Sequence, residues 1–124
     1  MRLWKGCGPR MRDVREWAAA FRRFAALPNT VGKLSGIFAE PPPPGSAESG
    51  PDGPEVGYLR PYYEIALEAF GPERLMFGSD WPVSTLAAPY GQVCDMYREL
   101  TAQLSAAEQL AIFDRTARRV YRLR

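Results

Sequence analysis

The sequence predicts an α/β chain in which short parallel strands alternate with amphipathic helices, and three observations carry that expectation. The run Arg74-Leu75-Met76-Phe77-Gly78-Ser79-Asp80-Trp81-Pro82-Val83 begins as an apolar stretch of strand length, then stops at Gly-Ser and a single carboxylate. Thr30-Val31-Gly32-Lys33-Leu34-Ser35 is a second short strand pattern, closed by Gly36. Between them, Leu59, Tyr62, Tyr63, Ala66, Ala69 and Phe70 recur at helical spacing until Gly71-Pro72 ends the run. Strand, helix, strand in that order is a βαβ unit, whose strands are parallel. Ser35 and Asp80 are therefore expected to leave the sheet at its carboxyl edge, where α/β proteins gather ligands and catalytic groups.

Taken in order, residues 11–27 form the first helix, with Val14, Trp17, Ala18, Phe21, Phe24 and Ala25 on one stripe and Arg15, Arg22 and Arg23 off it. Asp13 sits near its start, where a helix favours an acid, and Pro28-Asn29 ends it. The strand at 30–35 contains Lys33. A lysine inside a buried strand is costly unless its ammonium reaches water or a carboxylate, so snorkelling and function are both open for it. Residues 36–57 hold four consecutive prolines, 41–44, in a stretch without periodicity. Such a stretch reads as a loop, a lid or a binding segment. A helix over 58–70 leads into the strand 75–78, where Gly78 and Pro82 bracket Asp80. After a loop at 79–89, helices follow over 90–122. One carries Tyr90, Val93, Met96, Tyr97 and Leu100; the next opens on the capping box Ser105-Ala106-Ala107-Glu108 and carries Leu110, Ile112 and Phe113.

Bulk properties narrow the function. A chain of 124 residues with 46% apolar content makes one domain, and a net charge of +2 demands no acidic partner. The arginines at 115, 118, 119, 122 and 124 lack aromatic interleaving and read as a solvated helix face, so no nucleic-acid partner is expected. No run approaches the roughly 18 apolar residues of a membrane span, and the start lacks a signal-peptide core. Cys7 and Cys94 match no zinc or redox spacing and read as reduced thiols. A cytoplasmic protein without a membrane partner is the expectation. The chain contains no histidine, so Asp80, the candidate proton acceptor, has no imidazole partner within it.

Val31-Gly32-Lys33-Leu34-Ser35-Gly36, together with Ala66-Leu67-Glu68-Ala69-Phe70-Gly71-Pro72-Glu73-Arg74 and the Phe77-Gly78-Ser79-Asp80-Trp81-Pro82-Val83 block, resembles the amidohydrolase-related family, which includes fuconolactonase-like and 2-pyrone-4,6-dicarboxylate lactonase-like enzymes. The stretch from Ala111 to Leu123 is similar to that family's last helix. The resemblance implies a C-terminal fragment of a (β/α)8 (TIM) barrel, with two parallel strands, at about 30–35 and 75–78, as strands seven and eight among surrounding helices. It implies a hydrolase acting on a lactone or similar cyclic ester, with Asp80 as the catalytic residue assisting the attacking water. It also implies that Trp81 and the 36–57 loop shape a substrate pocket, with Lys33 and Ser35 beside it. No cofactor is supportable from this chain. A divalent metal belongs to the full-length family's repertoire, and Asp80 would contact it in a completed barrel.

The departures are as informative. The family's His-x-His and its middle-strand histidines have no counterpart here, and Arg2-Leu3-Trp4-Lys5-Gly6 is a faint match to its His-Leu-x-Lys-Pro. Such a barrel usually has roughly 250 residues. The chain alone is therefore expected to be inactive unless complemented, with self-association or pairing with a missing N-terminal half as its partner chemistry. The alternatives are a non-catalytic truncated remnant and a small interaction module using the proline-rich loop.

Overall fold

Both expected parallel strands form, and a third joins them. The computed structural model describes residues 2–5, 14–36, 49–50, 53–54 and 56–124. Its main sheet has the order β1-β2-β5, where β1 is Arg2–Lys5, β2 is Thr30–Leu34 and β5 is Leu75–Phe77. Both pairings are parallel: Arg2 to Lys5 lie opposite Thr30 to Lys33, and Gly32, Lys33 and Leu34 lie opposite Leu75, Met76 and Phe77. The faint motif at residues 2–6 is thus where the added strand lies. Parallel neighbours need long crossovers, supplied by helix α1 (Val14–Ala25) between β1 and β2 and by helix α2 (Val56–Phe70) between β2 and β5.

The helices are close to expectation, with shifted ends. Of the predicted 11–27 helix, residues 14–25 are helical and 11–13 lie outside the described residues. Helix α1 ends early because Thr30 draws the chain round: its Oγ1 donates to the carbonyls of Phe24 (3.0 Å) and Leu27 (2.7 Å). Helix α2 starts two residues before the predicted 58, and Pro61 lies inside it. The proline-rich loop is mostly outside the described residues. Within its end, Ser49–Gly50 (β3) pairs antiparallel with Gly53–Pro54 (β4). The C-terminal region divides into α3 (Tyr90–Leu100) and a helix over 106–121. The latter runs as α4 (Ala106–Leu110), one turn of π-helix (Ala111–Arg115) and α5 (Thr116–Tyr121). The predicted capping box is present, with Ser105 N–H donating to Glu108 Oε2 at 2.8 Å and Glu108 N–H donating to Ser105 Oγ at 3.3 Å. Val14, Tyr90 and Leu110, each at a stripe position, are exposed.

The core lies between the sheet and these helices. Phe21, Leu59, Tyr63, Phe70, Leu34, Leu75, Val93, Tyr97, Leu100 and Ile112 form one buried cluster. Aromatic contacts stitch it: Phe21 meets Phe70 edge-on at 5.2 Å, and Phe77 meets Tyr97 at 5.0 Å and Phe113 at 5.3 Å. Gly32 lets α2 approach closely, since a β-carbon there would stand 2.8 Å from Leu75 Cδ2 and 3.1 Å from the Phe70 ring. Arg74 closes the α1 and α2 ends, donating to the carbonyls of Ala25 (2.9 Å) and Ala69 (3.4 Å) with its guanidinium over Phe70. Among the described residues no helix is long and apolar enough to cross a membrane.

Candidate active site

The parallel pairing of β2 with β5 brings both carboxyl ends to one edge. The ladder runs one residue further than the strands, because Gly78 N–H donates to the Leu34 carbonyl at 3.0 Å. Ser35 is then opposite Gly78, and Asp80 follows two residues later. The sheet's two faces sort by alternation. Gly32, Leu34, Leu75 and Phe77 face the helices. Val31, Lys33, Ser35, Met76 and Gly78 take the other face.

On that second face, Lys33, Ser35 and Gly78 come together. A β-carbon on Gly78 would collide with Lys33 Cε and stand 3.1 Å from Ser35 Cβ and 3.3 Å from Lys33 Nζ. The Lys33 side chain therefore occupies the space that a residue larger than glycine would need. Lys33 is half-buried and Ser35 buried. Lys33 forms no ion pair among the described residues, whose four ion pairs all use arginines.

Asp80 sits in the turn that leaves β5. Its φ is +57°, in the left-handed region that aspartate tolerates better than most side chains. The loop around it is fastened by its own backbone. Ser84 N–H donates to the Asp80 carbonyl at 2.9 Å, Ser79 Oγ accepts from Trp81 N–H at 3.3 Å, and Thr85 Oγ1 donates to the Pro82 carbonyl at 2.6 Å. The Trp81–Pro82 peptide is cis. Asp80 is half-buried, whereas Trp81 is 66% exposed and Ser84 is fully buried.

Beneath this loop lies a residue that the sequence analysis assigned only to a core stripe. Tyr97 of α3 is buried against Phe77. Burial pushes its phenol up from the ordinary 10.0, and the negative charge of Asp80 pushes it the same way. The phenol thus stays protonated at neutral pH. Periodicity cannot reveal this, since a core tyrosine and one reaching towards a site share the same spacing. Gly78 was legible as a strand stop, but its role as the space for Lys33 needed the register.

The described residues do not bring together the ligands of a metal centre. Zinc takes three or four protein ligands. Among the described residues no three His, Cys, Asp or Glu side chains come together. The chain has no histidine, and among the described residues Asp80 belongs to no such group of three.

Comparison with known proteins identifies the family and the fold. The profile of the Amidohydrolase family matches residues 7–123. An L-fucono-1,5-lactonase of Burkholderia multivorans is 44% identical over 108 residues, which cover 86% of this chain and 35% of that protein. An L-fucono-1,5-lactonase of Burkholderia ambifaria is 40% identical over 75 residues, covering 60% of this chain and 23% of that protein. Among solved structures, a zinc-bound amidohydrolase from Burkholderia multivorans superposes with a TM-score of 0.73 at 43% identity, over 89% of this chain and 38% of its own. Amidohydrolase 2 from Bifidobacterium longum subsp. infantis superposes with a TM-score of 0.60 at 26% identity, over 91% of this chain and 36% of its own. The chain spans about a third of the length of the relatives it matches. Its fold is the expected C-terminal fragment of a (β/α)8 barrel. The profile match across nearly the whole sequence and the fold held in common with two solved members agree: the chain belongs to the Amidohydrolase family of hydrolases.

Proposed function

We propose that this chain carries part of the active site of a hydrolase that opens a lactone or similar cyclic ester, with Asp80 taking the proton from the attacking water. The observation that carries this reading is the placement of Asp80. A single carboxylate stands at the carboxyl end of β5, in a turn whose backbone is tied down on both sides, by Gly78 N–H to Leu34 and by Ser84 N–H to Asp80 itself. A carboxylate fixed in this way can orient water and accept its proton while the oxygen attacks a carbonyl carbon. Trp81 and Ser35 stand on the same edge and would border the substrate. The choice of a sugar lactone as substrate is supported by the two Burkholderia relatives, both L-fucono-1,5-lactonases.

Because the chain spans about a third of those relatives, completion by further strands belongs to the proposal, either by a separate N-terminal portion or by self-association. The test is lactone hydrolysis followed by acid release. The chain would be assayed alone and mixed with the part of the Burkholderia multivorans relative that it does not match. Turnover in either form, lost at least about a hundredfold in Asp80→Asn, is the expected result. A variant that keeps the full rate, or a mixture inert to every lactone offered, overturns the reading.

A further inference from the structure

We propose that Lys33 is a second group that touches the substrate, its ammonium binding the carbonyl oxygen and holding the negative charge that forms there as water adds. This rests on the hydrolase reading of the site, and the geometry around Gly78 is what adds to it. The Cα of Lys33 lies opposite Met76, yet its Cε and Nζ lie at the would-be β-carbon of Gly78, two residues further along β5. With about 3.3 Å of rise per residue in a parallel strand, the side chain carries its charge some 6–7 Å towards the carboxyl edge. It ends beside Ser35 and within two residues of Asp80.

A snorkelling lysine would be satisfied by open water or by a carboxylate. Lys33 is instead half-buried, lies in a trough kept open by a glycine, and has no carboxylate partner among the described residues. Its ladder neighbour on β1 is Lys5, so two lysines occupy adjacent register positions and no acid sits beside them in the β1–β2–β5 registers. A half-buried ammonium with no carboxylate partner among the described residues favours a ligand bearing negative charge on oxygen. Lys33 and Asp80 stand on one carboxyl edge of the sheet and form no ion pair with one another.

The chemistry closes without another reagent. The water oxygen bonds to the lactone carbonyl carbon, its proton passes to Asp80, and the carbonyl electron pair moves onto the oxygen held by Lys33. The carbon–oxygen double bond then re-forms, the ring C–O bond breaks, and the departing alkoxide takes the proton back from Asp80. Lactone and water have become a hydroxy acid, whose carboxylate carries the same oxygen-borne charge that Lys33 favours.

The test uses the intact chain and does not depend on turnover. Lys5 and Lys33 are its only lysines, so 13Cε-lysine labelling yields two side-chain signals, assigned with Lys33→Arg. Sodium gluconate, an open-chain sugar acid, is titrated in. The expected result is a saturable shift of the Lys33 signal. In Lys33→Met, gluconate affinity read from Trp fluorescence should fall about tenfold or more, with a smaller loss in Lys33→Arg. A Lys33 signal that does not move, whether or not the protein hydrolyses lactones, overturns the inference. A shift at Lys33 in a protein that opens no lactone either alone or in the completing mixture would instead leave the oxyanion site standing and overturn the hydrolase reading.

Discussion

At the scale of single residues, the backbone of Asp80 decides which substitutions can report on its chemistry. Its φ of +57° suits Asp, Asn or Gly and penalises β-branched residues. Asp80→Asn should therefore change stability by less than about 0.5 kcal/mol, because Asn shares the tolerance for this conformation. Asp80→Val should cost about 1–2 kcal/mol, read as a shift in the urea midpoint at unchanged slope. Equal stabilities for the two would mean that the turn is not held as described. Loss of activity in the Asn variant is then a chemical result and not a folding one. The buried phenol of Tyr97 stays un-ionised at neutral pH, because burial and the negative charge of Asp80 both disfavour a phenolate there.

At the scale of elements, most of the structure was legible because local signals agreed with tertiary packing. The stripe on α1, the Gly71-Pro72 stop and the Ser105–Glu108 box each name a physical device that the structure contains. The strand β1 carries almost no periodic signal in the sequence, because its four residues are two apolar ones flanked by two charged ones, with no alternation. Its pairing with β2 is a tertiary fact. The capping box also gives a pH prediction. Hydrogen bonds from the Ser105 side chain and backbone hold the Glu108 carboxyl below its ordinary value of 4.5. A folded-state pKa below the unfolded one adds stability above the unfolded value and loses it as pH falls through the folded one. The thermal midpoint should thus decline from about pH 4.5 downwards, and Ser105→Ala should flatten the part of that slope due to Glu108 while lowering the midpoint at neutral pH. An identical acid slope in the variant would show that the box contributes nothing to it.

At the scale of the whole molecule, two glycines on opposite faces of one sheet separate packing from function. Gly32 faces the helices, and its substitution by Ala would push a methyl group against Leu75 and the Phe70 ring, both buried. Overpacking of this kind costs about 1–3 kcal/mol and should appear as a lowered urea midpoint. A Gly32→Ala protein as stable as the parent would contradict the close seating of α2 on the sheet. The fold class, the edge on which Asp80 emerges and the shared edge of Ser35 were readable, because they follow from strand order alone. The trough under Lys33 and the tyrosine under the Asp80 loop were not, because they depend on register and on which face of a helix meets which strand. The π-helical turn at Ala111–Arg115 carries one more consequence. It places an extra residue between two α-helical stretches, and Thr116, just beyond it, donates from Oγ1 to the Glu73 carbonyl at 3.2 Å. Each residue of an α-helix advances about 100° around the axis. The wider π turn absorbs one such residue as a bulge, so deleting a residue there should restore continuous α-helix with Thr116 and Arg119 still beside Glu73, whereas the same deletion inside α5 would swing the residues beyond it by that angle.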